Sequence, residues 1–284
     1  MPPMHPAVRA TFRTAGRLAP PLAVAAAYQV FRTLGPRTPV RDADRATHER
    51  ARRGELRLAG ERVATYAWGD PAGPPVLLVH GWRSRASRFA RLVDGLEQAG
   101  HHVLAYDGVA HGDSTGRRTT ILDHLAVARE LVERSGAPVG VVGHSFGGLT
   151  AGIALTEGLR GGALVALAAV PSFADLNRGF LETVGLPPAL HARHSRLVAR
   201  RLFPDDPDPV ARFDLVHRPA PVPALFVHGT RDREVPPAAS RALHAAHPDS
   251  RLVEADAGHN SVLDADETVA AVVEHLARVA VNGR

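Results

Sequence analysis

The residues best placed to do chemistry are Gly143-His144-Ser145-Phe146-Gly147. The apolar run Val139-Gly140-Val141-Val142 precedes them, and Gly148-Leu149-Thr150-Ala151-Gly152-Ile153-Ala154-Leu155 follows, an order that reads strand, sharp turn, helix. A serine on such a turn is lifted clear of the sheet in a strained backbone conformation, and glycines at 143 and 147 remove the side chains that would obstruct it. The chemistry implied is nucleophilic attack on a carbonyl carbon. An alcohol near neutral pH is a poor nucleophile, so the serine needs a base, and the base needs an acid to fix its tautomer.

Both partners follow downstream, aspartate first and histidine second. The run Ala224-Leu225-Phe226-Val227 ends in His228-Gly229-Thr230-Arg231-Asp232, which puts Asp232 in a loop past a strand's C-terminal end. The alternating run at 251–255 leads into Asp256-Ala257-Gly258-His259, so His259 falls in the next loop on the same edge. Asp175, just past the preceding strand, is the rival acid. Asp256 is nearer His259 in sequence, but three residues within one loop is poor geometry for orienting an imidazole. Upstream, the buried run Pro75-Val76-Leu77-Leu78-Val79 is followed by His80-Gly81-Trp82. The backbone N–H groups of Trp82 and Phe146 are the candidate oxyanion donors, and two fixed donors in a dry site contribute about 3 kcal/mol each.

These residues resemble the α/β-hydrolase superfamily, and within it the bacterial serine hydrolases of esterase and lipase type. The resemblance rests on His80-Gly81-Trp82, residues 107–114, Gly143 to Gly148, His228-Gly229 with Asp232, and Gly258-His259, from about residue 55 to the end. One departure is visible: Gly108-Val109 stands where relatives often carry proline or Ala-Pro. The resemblance implies an α/β fold with a mostly parallel eight-stranded sheet, helices on both faces and a small helical cap after the sixth strand. It implies hydrolysis of a carboxylic ester or thioester through an acyl-enzyme on Ser145, with His259 as base and Asp232 as orienting acid. No cofactor and no metal are expected. Two alternatives stay open: a non-catalytic ligand-binding protein of this fold, and carbon–carbon hydrolysis or peracid formation on the same three residues.

The expected elements support that layout. Residues 55–68 alternate about Gly60 and read as an antiparallel hairpin. Strands follow near 75–79, 102–106, 139–143, 163–169, 224–228 and 251–255, with helices near 86–99, 120–135, 146–159, 238–247 and 265–280. Uniformly apolar strand runs indicate a parallel sheet covered on both faces. The pattern breaks over 171–221, too long for a bare connection, and apolar residues at loosely helical spacing mark a cap there. The core is then 54–170 with 222–284. Expected pocket residues are His80, His111, Phe173 and Phe180; His80 and His228 also read as structural hydrogen-bonders at strand ends. His144 is expected to face away from the nucleophile, and His191, His194 and His247 are expected at the surface. Asp107 reads as a strand-end residue that holds its loop by accepting backbone N–H groups.

Composition narrows the chemistry further. The 284 residues include no cysteine and no lysine, which excludes disulfides, thiolate chemistry, Schiff bases and a phosphate-loop lysine. The formal charge of +5 is uneven: residues 1–53 hold ten arginines against Asp42, Asp44 and Glu49, leaving the remainder slightly acidic. With aromatics at 5% and no nucleic-acid module, no nucleic-acid partner is expected. The expected partner is a small ester-like molecule. Residues 1–53 form a basic helical arm, and residues 41–53 read as a solvated helix. Three readings of residues 1–40 stay open: helices packed on the main domain, a weak peripheral membrane contact, or a signal peptide. The expected location is cytoplasmic, with membrane association or export as the alternatives.

Overall fold

The structure, a computed structural model, describes residues 4–282. Eight strands form one sheet: β1 Arg52–Leu58, β2 Glu61–Trp68, β3 Pro75–Val79, β4 His102–Tyr106, β5 Gly140–His144, β6 Leu164–Leu167, β7 Ala224–Gly229 and β8 Ser250–Ala255. Their order is β1-β2-β4-β3-β5-β6-β7-β8. The β1–β2 and β2–β4 pairs are antiparallel and the rest parallel. The hairpin turns at Ala59 and Gly60, both at positive φ, which suits the twist of a two-residue connection. Strands β5, β6 and β7 are buried along their whole length, which is why their sequences are apolar throughout rather than alternating.

The helices are α1 Pro6–Leu18, α2 Pro20–Phe31, α3 Asp42–Glu49, α4 Ala90–Gln98, α5 Ile121–Ser135, α6 Phe146–Thr156, α7 Phe173–Val184, α8 His191–Leu202, α9 Pro209–Arg212, α10 Ala238–Ala246 and α11 Asp266–Asn282. One apolar core joins a sheet face to α5 and α6, and a second joins the other face to α4 and α11. Helices α7, α8 and α9 occupy the interval between β6 and β7, the helical insertion expected of the cap. Helices α1 and α2 pack on that insertion rather than on the sheet: Phe12, Ala23, Val24 and Ala27 share a third core with Phe180, Leu181, Val184 and Leu186. Among the described residues no helix is long and apolar enough to cross a membrane.

Two expectations need correction. The segment 41–53 is not a solvated helix: α3 ends at Glu49, Arg52 and Arg53 already belong to β1, and Asp44, Thr47 and His48 are buried. Burial is tolerated because Asp44 pairs with Arg41 at 2.6 Å and Arg88 at 3.3 Å, while the Trp68 indole N–H donates to the Thr47 carbonyl at 2.8 Å. The second concerns histidines expected at the surface. His194 is fully buried, bonded through Nδ1 to Asn177 Oδ1 and set edge-on to Phe31. His247 is also buried; its Nε2 accepts from the Ala220 N–H and its Nδ1 donates to the Leu243 carbonyl. His191 is half-buried and donates to the Leu186 carbonyl.

Candidate active site

Ser145 stands between β5 and α6 at φ 55° and ψ −119°, a region that non-glycine residues rarely occupy. The backbone around it is too close for side chains. A Cβ on Gly143 would lie 2.2 Å from the Gly147 carbonyl oxygen, and one on Gly147 would lie 2.1 Å from that of Val79. The strain is held by the Ser145 N–H, which donates to Leu167 on β6, and by α6, whose Gly148 N–H donates back to the Ser145 carbonyl. The hydroxyl itself makes no hydrogen bond among the described residues.

Asp232 and His259 meet across two neighbouring loops. Their contact joins His259 Nδ1 to Asp232 Oδ2 at 2.7 Å. The loops are laced by backbone bonds, Thr230 N–H to Ala255 and Arg231 N–H to Ala257, and they approach so closely that a Cβ on Gly229 would strike the Ala257 carbonyl. Burial pushes the Asp232 carboxyl up, but the bonds to His228 and His259, the charge on His259 and the Val235 N–H hold it well below the usual carboxylate range. It is therefore an anion throughout the neutral range and fixes the proton on His259 Nδ1, which leaves Nε2 as the basic nitrogen.

His144 ties this pair to the elbow. Its Nε2 donates to the His259 carbonyl at 2.8 Å, and the two rings lie 4.9 Å apart. Expected to face away from the nucleophile, it faces the His259 loop and acts as a strut between β5 and that loop. Burial, then the neighbouring His259, push its imidazole down to about 3, so it stays neutral.

The oxyanion candidates lie beside the serine. Neither the Trp82 nor the Phe146 N–H has an acceptor among the described residues, and the Phe146 group opens α6, where the helix dipole favours negative charge. Their rings meet edge to face at 5.4 Å. His80 locks the adjoining peptide. Its Nδ1–H donates to the Gly81 carbonyl at 2.8 Å, and its Nε2 accepts from the Gly108 N–H at 2.9 Å. His111 accepts from the Arg83 N–H at 3.1 Å and donates to the Val109 carbonyl.

The expected pocket residues are thus interior. His80 and His111 are each 1% exposed and hold backbone; Phe173 packs on Phe203; Phe180 packs on Phe31 in the arm–cap core. The departure at Gly108 has a local cause, since a Cβ there would lie 2.3 Å from the His124 ring. Asp107 holds its loop as expected, accepting from the Ala86 and Asp113 N–H groups and the Tyr66 hydroxyl. The rival acids are engaged elsewhere: Asp175 bonds Ser172 at the start of α7, and Asp256 pairs with Arg231. The strand-end histidine of β7 does more than cap its strand. His228, four positions before Asp232, donates from Nε2 to the Val235 carbonyl at 3.0 Å, and the same nitrogen lies 3.2 Å from the Asp232 oxygen that meets His259. Among the described residues no group of three or more histidine, aspartate or glutamate side chains is arranged to hold a metal.

A mostly parallel sheet that carries a strained serine, an Asp–His pair and two free amides at the C-terminal ends of its strands defines the class of alpha/beta hydrolases. A model of the Alpha/beta hydrolase family matches residues 76–272, and the chain belongs to that family. Among curated relatives, the human serine hydrolase-like protein is 37% identical over 106 residues, 35% of this chain and 52% of its own length. Monoglyceride lipase of Rattus norvegicus is 31% identical over 98 residues, 31% of this chain and 32% of its own. The chain therefore spans about half and about a third of the length of these relatives. An esterase from Pyrococcus furiosus shares the fold with a TM-score of 0.63 at 22% identity, over 87% of this chain and 98% of that one.

Proposed function

We propose that the protein hydrolyses a small carboxylic ester or thioester through an acyl-enzyme on Ser145. The observation that carries this reading is the 2.7 Å contact between His259 Nδ1 and Asp232, tied through His144 to a serine held at φ 55°. In the proposed sequence Ser145 Oγ attacks the substrate carbonyl carbon while His259 Nε2 takes its proton. The carbonyl oxygen becomes an oxyanion between the Trp82 and Phe146 N–H groups. Collapse expels the alcohol or thiol, which takes the proton from His259. Water, activated by the same imidazole, then releases the acid and restores the serine. The Ser–His hydrogen bond forms as substrate enters, as is common where the free enzyme leaves this contact open.

A nonpolar acyl group is proposed, in keeping with a relative named as a monoglyceride lipase. The test is a panel of p-nitrophenyl esters and thioesters of graded chain length, run on the wild type and Ser145→Ala. The expected result is a loss of at least about 10³-fold in kcat for the variant with an unchanged circular dichroism spectrum. An alanine variant as active as the wild type overturns the assignment.

A further inference from the structure

We propose that α1, α2 and α8 form a docking surface for an anionic lipid bilayer, with Leu18 and Leu22 as the side chains that enter it. The inference stands apart from the proposed hydrolysis, and its test reads binding rather than turnover.

Large apolar side chains are rarely left open on this molecule. Among the described residues only Leu18, Leu22, Val210 and Val281 are large apolar side chains left exposed, and Leu18 and Leu22 stand where α1 meets α2, 81% and 71% exposed. Leu18 closes α1 and Leu22 lies in the first turn of α2, across the break at Ala19–Pro20. Two leucines four residues apart on a projecting corner have no packing role in the chain itself.

The helices that form and adjoin that corner carry charge of one sign. Arg9, Arg13 and Arg17 recur every four residues and so run down one side of α1 to Leu18. Helix α8, which packs against α2, adds Arg193, Arg196, Arg200 and Arg201. The three helices contain no aspartate or glutamate. None of the seven guanidinium groups forms an ion pair or a side-chain hydrogen bond among the described residues. Elsewhere the arginines that pack on the fold are paired, as at Arg41, Arg50, Arg88 and Arg212. One carboxylate, Glu182, shares the cleft with Arg9, Arg13 and Arg17 and leaves most of their charge uncompensated.

Unpaired arginines beside projecting leucines match a negatively charged headgroup layer over hydrocarbon. Nucleic acid is a poorer fit, because the aromatic rings of this region, Phe12 and Tyr28, are buried rather than offered for stacking. Because α1 and α2 share a core with α7, a docked corner would hold the inserted helices at the bilayer surface.

The experiment is co-sedimentation of the full chain with vesicles of phosphatidylcholine alone and of phosphatidylcholine with roughly one-third phosphatidylglycerol. Expected is binding at least about tenfold stronger to the anionic vesicles, abolished near 0.5 M salt. Arg13→Glu with Arg17→Glu should weaken it by at least about tenfold. Leu18→Ser with Leu22→Ser should weaken it several-fold at unchanged charge. Equal binding to neutral vesicles, or none to either, overturns the proposal. So does anionic binding indifferent to the leucine pair, which reduces the surface to unspecific charge. A dimer in sedimentation velocity that the leucine variant dissolves, without vesicle binding, assigns the corner to a second copy and also overturns it.

Discussion

Asp232 serves two imidazoles. One oxygen meets His259 Nδ1 at 2.7 Å and His228 Nε2 at 3.2 Å; the other accepts the Glu234 and Val235 N–H groups at 2.8 and 3.0 Å. His228 is oriented by Ser240, whose hydroxyl lies 2.6 Å from its Nδ1. Each of these contacts helps hold the carboxylate in place against the His259 ring. The titratable groups facing this unit are His144 from β5 and His228 from β7, with Asp232 itself. His228→Leu removes the imidazole beside Asp232, and kcat/KM is expected to fall about tenfold with the circular dichroism spectrum retained. An unchanged kcat/KM with a lowered melting temperature would reduce His228 to a packing role. At this scale much of the site was legible. Ser145, Asp232 and His259 stand out because each follows an apolar strand run, and the structure draws the last two together. The approach of His228 to Asp232 was not legible, because a histidine at a strand end reads equally well as a cap for any nearby carbonyl.

At the scale of elements, the sheet was readable because buried parallel strands leave uninterrupted apolar runs, as at 76–79, 141–142 and 224–227. The elbow was readable because glycine at 143 and 147 is demanded by backbone oxygens barely more than 2 Å from where a Cβ would sit. What escaped was burial decided by partners far along the chain. His194 looks like a surface residue in an arginine-rich helix, yet Phe31 of α2 closes over it from more than 160 positions away. Helix α3 looks solvated by composition, yet Arg88, 44 positions further along the chain, reaches Asp44. The surroundings of Phe180, an expected pocket residue, were hidden for the same reason. Phe180 is apolar at helical spacing, but it faces the arm, and only the packing of α1 and α2 reveals that face.

At the scale of the whole molecule, buried neutral imidazoles make the fold acid-sensitive. Burial above all pushes His80, His111, His124 and His144 below their ordinary value, at His80 against the opposing pull of the Asp107 carboxylate; His194 goes down to about 4 by burial. The unfolded chain takes up these protons near pH 6.5 and the folded chain does not, so stability is complete above about pH 6.5 and falls as the pH drops below it. For His111, His124 and His144 the slope approaches about 1.4 kcal/mol per pH unit each. Asp232, held low in the folded state, adds a further loss below its unfolded value of about 4. Melting temperature followed by circular dichroism should be nearly flat from pH 7 to 9 and fall steeply from pH 6.5 toward 4. A flat profile down to pH 4 would mean that these rings reach solvent. The central claim is that one hydroxyl, on a strained turn beside a buried Asp–His pair, is an activated nucleophile. The most direct measurement is reaction with a fluorophosphonate, followed by intact mass and peptide mapping. The account predicts a single adduct on Ser145, absent in Ser145→Ala and strongly slowed in His259→Ala; a wild-type chain that stays unmodified, or is modified at another residue, would contradict it.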